Sequence, residues 1–250
     1  MIFTIAIREF KNLFLSPLAW CILAAMHLVQ GLIFYRLLQT YQLNPPQIDS
    51  THDIASGVTY HIASLFLGSI SYSAMLTIPV LTMSLICGER RRNSWPLLAS
   101  APVGYYQIIL GKYLGLQFFL WLLLCSLVIM PLSLFTTVTM DTGILATSFI
   151  GVLLTLAAYS ALGILMSAIT KSSATAAFST LAVLLLLWVT EMLAESGIIW
   201  LDSAIIYLSI FQHLSPMLRG LLDTRDVMYF LILIVGFLGL ATQQLHSRRV

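Results

Sequence analysis

Six runs of apolar residues, each about the length of a membrane crossing, restrict what this chain can become: roughly 17–38, 64–87, 113–138, 144–170, 174–194 and 227–245. Crossing the hydrocarbon core takes about 20 apolar residues in a helix. Only helices and closed barrels satisfy their backbone groups in lipid. Hydrophobic residues make up 59% of the 250 and charged residues only 9%, more apolar side chain than a water-soluble domain of this size covers. The expected fold is all-α: a single polytopic membrane domain over residues 1–250 with six transmembrane helices, short loops and no soluble catalytic domain.

The charges orient the spans. Lys and Arg concentrate on the cytoplasmic side of membranes. With the N-terminus inside and the spans alternating, the inner side holds Arg8, Lys11, Arg90, Arg91, Arg92, Lys112, Lys171, Arg248 and Arg249, and the outer side Arg36, Arg219 and Arg225. Of the acids, only Glu9 and Glu89 fall inside; Asp49, Asp53, Asp141, Glu191, Glu195, Asp202, Asp223 and Asp226 fall outside or at outer span ends. An even number of spans with both termini in the cytoplasm follows. Residues 198–211 are apolar but short and carry Asp202. They suit a re-entrant or interfacial helix rather than a seventh span, so 195–226 is read as an outer-face helical element.

Residues 1–15 lack the charge, apolar core and cleavage-site order of a signal peptide. Phe3, Ile7, Phe10 and Phe14 share one helical face there and Thr4, Arg8 and Lys11 the opposite one. That pattern predicts an amphipathic helix in the inner interface with its bases toward anionic headgroups. Pro17 follows at the start of the first span, where a helix tolerates it.

Residues 87–115 read CGERRRNSWPLLASAPVGYYQIILGKYLG. With this topology, 88–111 is the longest cytoplasmic loop. Pro96 can open a short helix, and Pro102 with Gly104 can close it. Leu97, Leu98 and Trp95 would project from it, and apolar side chains outside the bilayer need a partner surface. Arg90 to Arg92 hold topology and can touch lipid phosphates or a protein. Gly111 and Gly115 form a GxxxG, a close-packing pattern that also arises by chance in apolar helices.

Other patterns point away from chemistry in this chain. GYYQIILGKY has neither the spacing nor the glycine content of a phosphate-binding loop, and Tyr113 stands where that loop has Ser or Thr. Cys21, Cys87 and Cys125 lie in or beside apolar runs without a CxxC and read as small hydrophobes. His52 and His61 with Asp49 and Asp53 read as a solvated loop rather than a metal site. Arg36 is expected to snorkel, and Glu191 to face either the bundle interior or its outer end. No catalytic, cofactor or metal residue is assigned, and the net charge of +2 does not suggest nucleic acid.

Three stretches resemble the ABC-2-type transporter permeases. Glu89, Asn93-Ser94-Trp95-Pro96, Leu97-Leu98, Pro102-Val103 and Gly111-Lys112 are similar to that family's cytoplasmic loop, with Asn93 and Pro96 where the family has Gly and Glu. REFKNLFLSPLAW resembles its first helix. FQHLSPMLRGLLDTRDVMYFL, at 211–231, resembles the permeases of the gliding-motility branch. The resemblance implies six spans per permease, re-entrant helices between spans five and six, and a second permease copy or a paralogous membrane subunit. It also implies a separate dimeric ATPase that binds ATP and grips a cytoplasmic coupling helix. Carried over to this chain, it assigns coupling to Glu89, Arg90, Trp95, Leu97, Leu98 and Pro102, and the outer element to Arg219, Gly220, Asp223 and Asp226. The charges themselves, Arg219 and Arg225 against Asp223 and Asp226, suggest pairing within 219–226, with Pro216 and Gly220 marking bends.

On this reading the protein is the permease subunit of an ATP-driven exporter or force-transmitting complex in a bacterial inner membrane, in contact with membrane lipids. A passive channel or assembly subunit without an ATPase is the alternative. An intramembrane protease is a remote one: Gly68-Ser69 lacks the G-x-S-G setting, and His27 has no nucleophile partner visible in the sequence.

Overall fold

The computed structural model describes residues 1–43, 59–88, 104–136, 141–193 and 209–247. All ordered elements among them are helical. Helix α1 (Ile2–Leu15) meets α2 (Pro17–Leu43) at a sharp corner. Ser16 there is extended, with φ −80° and ψ 124°. Pro17 suits the first helical position, where no N–H is needed. Trp20 locks the corner by donating its indole N–H to the Phe14 carbonyl at 2.8 Å, satisfying one of the acceptors a helix end leaves open.

A π-helical turn, Thr59–Ser64, leads into α3 (Leu65–Thr82). Then come α4 (Tyr105–Leu132), α5 (Thr142–Ile169), α6 (Ser173–Leu193), a short α7 (Ile210–Leu218) and α8 (Thr224–Ser247). Asp141 caps α5 by accepting from the Gly143 N–H at 2.8 Å. Five of these helices (α2, α3 with its π turn, α4, α5 and α8) are long and apolar enough to cross a membrane, and α6 supplies a shorter apolar stretch, Ser173–Val189. Each of the six expected spans thus coincides with a helix.

The start of the third span differs most. The third span was expected from 113, with 105–111 in a loop. The helix starts at Tyr105 instead, after Gly104. Its first turns carry Gln107 and Lys112, so they lack an unbroken apolar signal; Ile108, Ile109 and Lys112 are nonetheless buried inside the protein.

Helix α5 is the axis of the bundle and packs against α3, α4, α6, α7 and α8. Small residues let neighbours approach it: a Cβ on Gly163 would collide with the side chain of Thr82, the close backbone approach that drives helix association in lipid. Helix α2 lies at the periphery, most of its side chains turned away from the protein. Gln30 ties it to α3, donating to Ser73 Oγ at 2.7 Å and accepting from Ser69 Oγ at 2.8 Å.

The helices alternate in direction. The α1–α2 corner, the end of α3, the start of α4 and the end of α5 meet at one end of the bundle: Ser167 Oγ accepts from the Ile86 N–H at 3.2 Å, and Tyr105 stacks on His246 of α8 with centroids 6.1 Å apart. At the other end lie the π turn, the start of α5 and α7: the Asp141 N–H donates to Thr59 Oγ1 at 2.9 Å. Helix α1 and the end of α8 therefore share one end, as an even number of crossings requires.

Candidate functional site

The α1 end holds the most unusual chemistry in the molecule. Lys112 is 1% exposed. Burying an ammonium is costly unless an opposite charge and hydrogen bonds accompany it. Its Nζ donates to Glu9 Oε1 at 2.9 Å, and Arg8 Nη2 stands 3.3 Å from the same oxygen. Glu9, 6% exposed, comes from α1, 103 residues away along the chain.

The two helices meet because of Gly111 and Gly115. A Cβ on Gly111 would lie 2.7 Å from Ile5 Cβ; one on Gly115 would lie 2.7 Å from the Ala6 carbonyl oxygen and 2.8 Å from Glu9 Cβ. The GxxxG of the sequence is thus the seat of α1. Ala6 and Glu9 are buried against that notch, while Phe3 and Ile7 are 68% and 52% exposed, as the apolar face of an interfacial helix turned toward lipid would be. Phe14 turns inward, edge-on to Phe119 at 5.6 Å. The fit of small residues against the glycine notch and the Glu9–Lys112 pair set the rotation of α1.

The sequence-assigned coupling residues Glu89, Arg90, Trp95, Leu97, Leu98 and Pro102 all lie in 89–103, outside the described residues. What can be described is how the two flanks are held. On the α3 side, Cys87 Sγ donates to the Ser167 and Thr170 carbonyls at 3.0 and 3.1 Å, pinning the helix end to α5. On the α4 side, the first turns are clamped by α1. Between α1, the corner and the end of α3 lies a cavity of about 620 Å³ that reaches Gly88 and Lys112.

At the opposite end, α7 is too short to span. It is seated on two more glycines: a Cβ on Gly68 would lie 3.0 Å from Leu218 Cδ1, and one on Gly151 2.9 Å from Met217 Cβ. Phe211 stacks on Tyr72 at 4.2 Å. Gly220 turns the chain toward α8 with φ +90°, and a Cβ there would lie 2.9 Å from Ile144 Cγ1. Gly220 therefore marks a turn as expected, whereas Pro216 sits inside α7.

The pairing expected within 219–226 is replaced by a different one. Asp226 is buried and its Oδ1 lies 2.7 Å from His213 Nδ1. The His213 ring stacks on Tyr229 at 3.9 Å. Arg219, Asp223 and Arg225 are exposed; the Arg225 N–H donates to Asp223 Oδ1 at 3.1 Å at the start of α8. A carboxylate in the first turn of α8 also faces the favourable end of the helix dipole. His213 stood in the sequence only within the resemblance, and nothing local marked Asp226 as its partner.

His27 also has a partner that the sequence concealed. Ser126 Oγ lies 3.0 Å from its Nε2, and its Nδ1 lies 2.8 Å from the Leu23 carbonyl. A carbonyl only accepts, so Nδ1 donates to it, and the Ser126 hydroxyl also donates to the Leu123 carbonyl at 2.7 Å. A serine beside a histidine can form a nucleophile–base pair, but Ser126 sits inside the continuous helix α4. The N–H groups around it are committed to the helix, so no pair of donors faces a developing oxyanion. The bond joins α2 to α4, the usual work of polar side chains between membrane helices.

Arg36 is exposed on α2, and His61 Nδ1 is buried with no hydrogen-bond partner among the described residues. His52 with Asp49 and Asp53, and the side chain of Glu191, lie outside the described residues. Among the described residues no three His, Cys, Asp or Glu side chains gather as metal ligands do.

An all-helical bundle with apolar spanning helices, a clamped amphipathic helix at one end and a short seated helix at the other is a multi-pass membrane protein. A family model described as ABC-2 family transporter protein matches residues 12–242, and the chain belongs to that family as a membrane permease component. No curated protein matches the chain.

Proposed function

We propose that this chain is the permease subunit of an ATP-binding cassette transporter driven by a separate ATPase dimer, paired in the membrane with a second copy or a paralogue. The family match over 12–242 carries the reading. The clamp of α1 on α4 supports it: force entering at 89–103 would meet a rigid receiver on the α4 side, held by Lys112, Glu9 and the two glycines. Glu89, Arg90, Trp95, Leu97, Leu98 and Pro102 are proposed as the surface the ATPase grips, with ATP bound and hydrolysed in that partner. Export, or transmission of force to an outer partner, is the proposed output. The resemblance of 211–231 favours the gliding-motility branch, and the base asymmetry favours a bacterial inner membrane with both termini inside.

Copurification tests the subunit assignment. The tagged permease, extracted in mild detergent, is expected to bring an ABC ATPase with it in equal number and to raise its ATP turnover. A permease that reaches the membrane without any ATPase would favour the passive-channel alternative. A reporter that works only in the cytoplasm, fused after Val250, is expected to be active; activity of a periplasmic reporter there contradicts the orientation.

A further inference from the structure

The cavity at the α1 end has a division of character that neither the fold nor the coupling reading uses. One part of its lining is polar: Arg8, Asn12, Ser16 and Ser84, with Lys112 and Glu9 at the edge. Among the described residues of that lining, two bases stand against one acid. An apolar part comes from the spanning helices, with Leu18 and Ala19 from α2 and Val80 and Leu81 from α3, and is continued by Leu13 and Leu15 of α1 and Leu85 beyond α3. Its volume of about 620 Å³ falls within the ~300–1,000 Å³ of sites that hold small molecules. A polar, positive rim at the level of an interfacial helix, opening onto apolar walls that continue as transmembrane helices, matches one class of ligand: a molecule with an anionic head and hydrocarbon tails.

We propose that this cleft binds one anionic phospholipid, its phosphate held by Arg8, Asn12, Ser16 and Ser84 and its acyl chains running out along Leu18 and Leu81 between α2 and α3. Arg8 presents N–H donors in a fork suited to phosphate, and its Nη2 also donates to Glu9. The amide of Asn12 and the hydroxyls of Ser16 and Ser84 add neutral donors, and all three reach the cleft from different elements. The lipid would bridge α1, the corner and the end of α3. The proposal rests on membrane membership and the cleft, not on the ATPase reading, and is tested without an ATPase.

The test is native mass spectrometry of the purified full chain in detergent, titrated with phosphatidylglycerol, phosphatidylcholine or inorganic phosphate. One phosphatidylglycerol is expected to bind at low ratios, more tightly than phosphatidylcholine. Ser84→Trp, which fills the cleft, and Arg8→Gln, at a half-exposed side chain, are each expected to weaken that first binding step by about tenfold or more, the scale of one hydrogen bond to a charged group. Should Ser84→Trp fail to yield monodisperse protein, Arg8→Gln alone decides. Wild-type affinity in the folded variants overturns the proposal. Equal affinity for phosphatidylcholine overturns its anionic specificity, and displacement of the lipid by millimolar inorganic phosphate would reassign the site to free phosphate.

Discussion

Replacing glycine by alanine inside a helix ordinarily helps, by about 0.8–1 kcal/mol of helix propensity. This structure predicts opposite signs for that one change at two positions. At Gly115 the added methyl would sit 2.7 Å from the Ala6 carbonyl oxygen and 2.8 Å from Glu9 Cβ, and backbone stands on the other side at Phe10 N, 3.3 Å. None of these atoms is the free end of a side chain, so α1 itself must move. Overpacking of this kind costs about 1–3 kcal/mol. If α1 lifts far enough to part Glu9 from Lys112, the uncompensated buried charge adds about 3–5 kcal/mol. Net of the propensity gain, overpacking alone should make Gly115→Ala destabilising by up to about 2 kcal/mol, and parting the pair would add to that. At Gly236 of α8 nothing lies within 4 Å of the added methyl, and Gly236→Ala should be neutral or stabilising. Reversible unfolding in mixed micelles measures both, and trypsin at Arg8 and Lys11 reports separately whether α1 has come away. A Gly115→Ala protein as stable and as protease-resistant as wild type would refute the glycine-seat account of α1.

Three further outcomes follow from the same geometry. Glu9→Gln should destabilise by about 3–5 kcal/mol by leaving Lys112 buried beside a neutral amide, and Glu9→Gln with Lys112→Met should recover most of the loss; additive effects in this cycle would show that the pair does not couple. Gly220→Ala should cost about 1–2 kcal/mol for its left-handed backbone, with more for contact with Ile144, measured as a lowered unfolding midpoint. Asp226→Leu should destabilise by about 1–3 kcal/mol by leaving His213 without its acceptor, whereas Asp223→Leu, at an exposed site, should cost less than half as much in the same assay.

The helices were legible because lipid imposes one length and one polarity on every crossing. Apolar runs of membrane length alone located α2, α3, α4, α5, α6 and α8, and the interruption at Asp202 with the bend at Gly220 separated a short helix from the last span. Partnerships were less legible. The sequence marks Gly111 and Gly115 as able to receive a helix, but not that the helix is α1, since the contact closes over about a hundred residues. Lys112 reads as one more base that orients the chain; only its burial beside Glu9 makes it a clamp. The bonds of His27 to Ser126 and of His213 to Asp226 are likewise set by how helices rotate against one another, and apolar spans carry little rotational signal when every face is hydrophobic. The α1 wheel sorted residues by polarity and so marked the exposed apolar face of Phe3 and Ile7, but it could not mark the contact with α4, which selected Ala6 and Glu9 by size and charge.

The central question is whether 89–103 is where an ATPase drives this permease. Leu97→Asp with Leu98→Asp addresses that directly, since burying each leucine in a partner's groove is worth about 1.5–3 kcal/mol and the spanning helices are untouched. The double variant should insert and fold as wild type, lose most of its copurifying ATPase, and lose permease-dependent ATP hydrolysis with it. A double variant that keeps both its ATPase and full coupled turnover would contradict the claim.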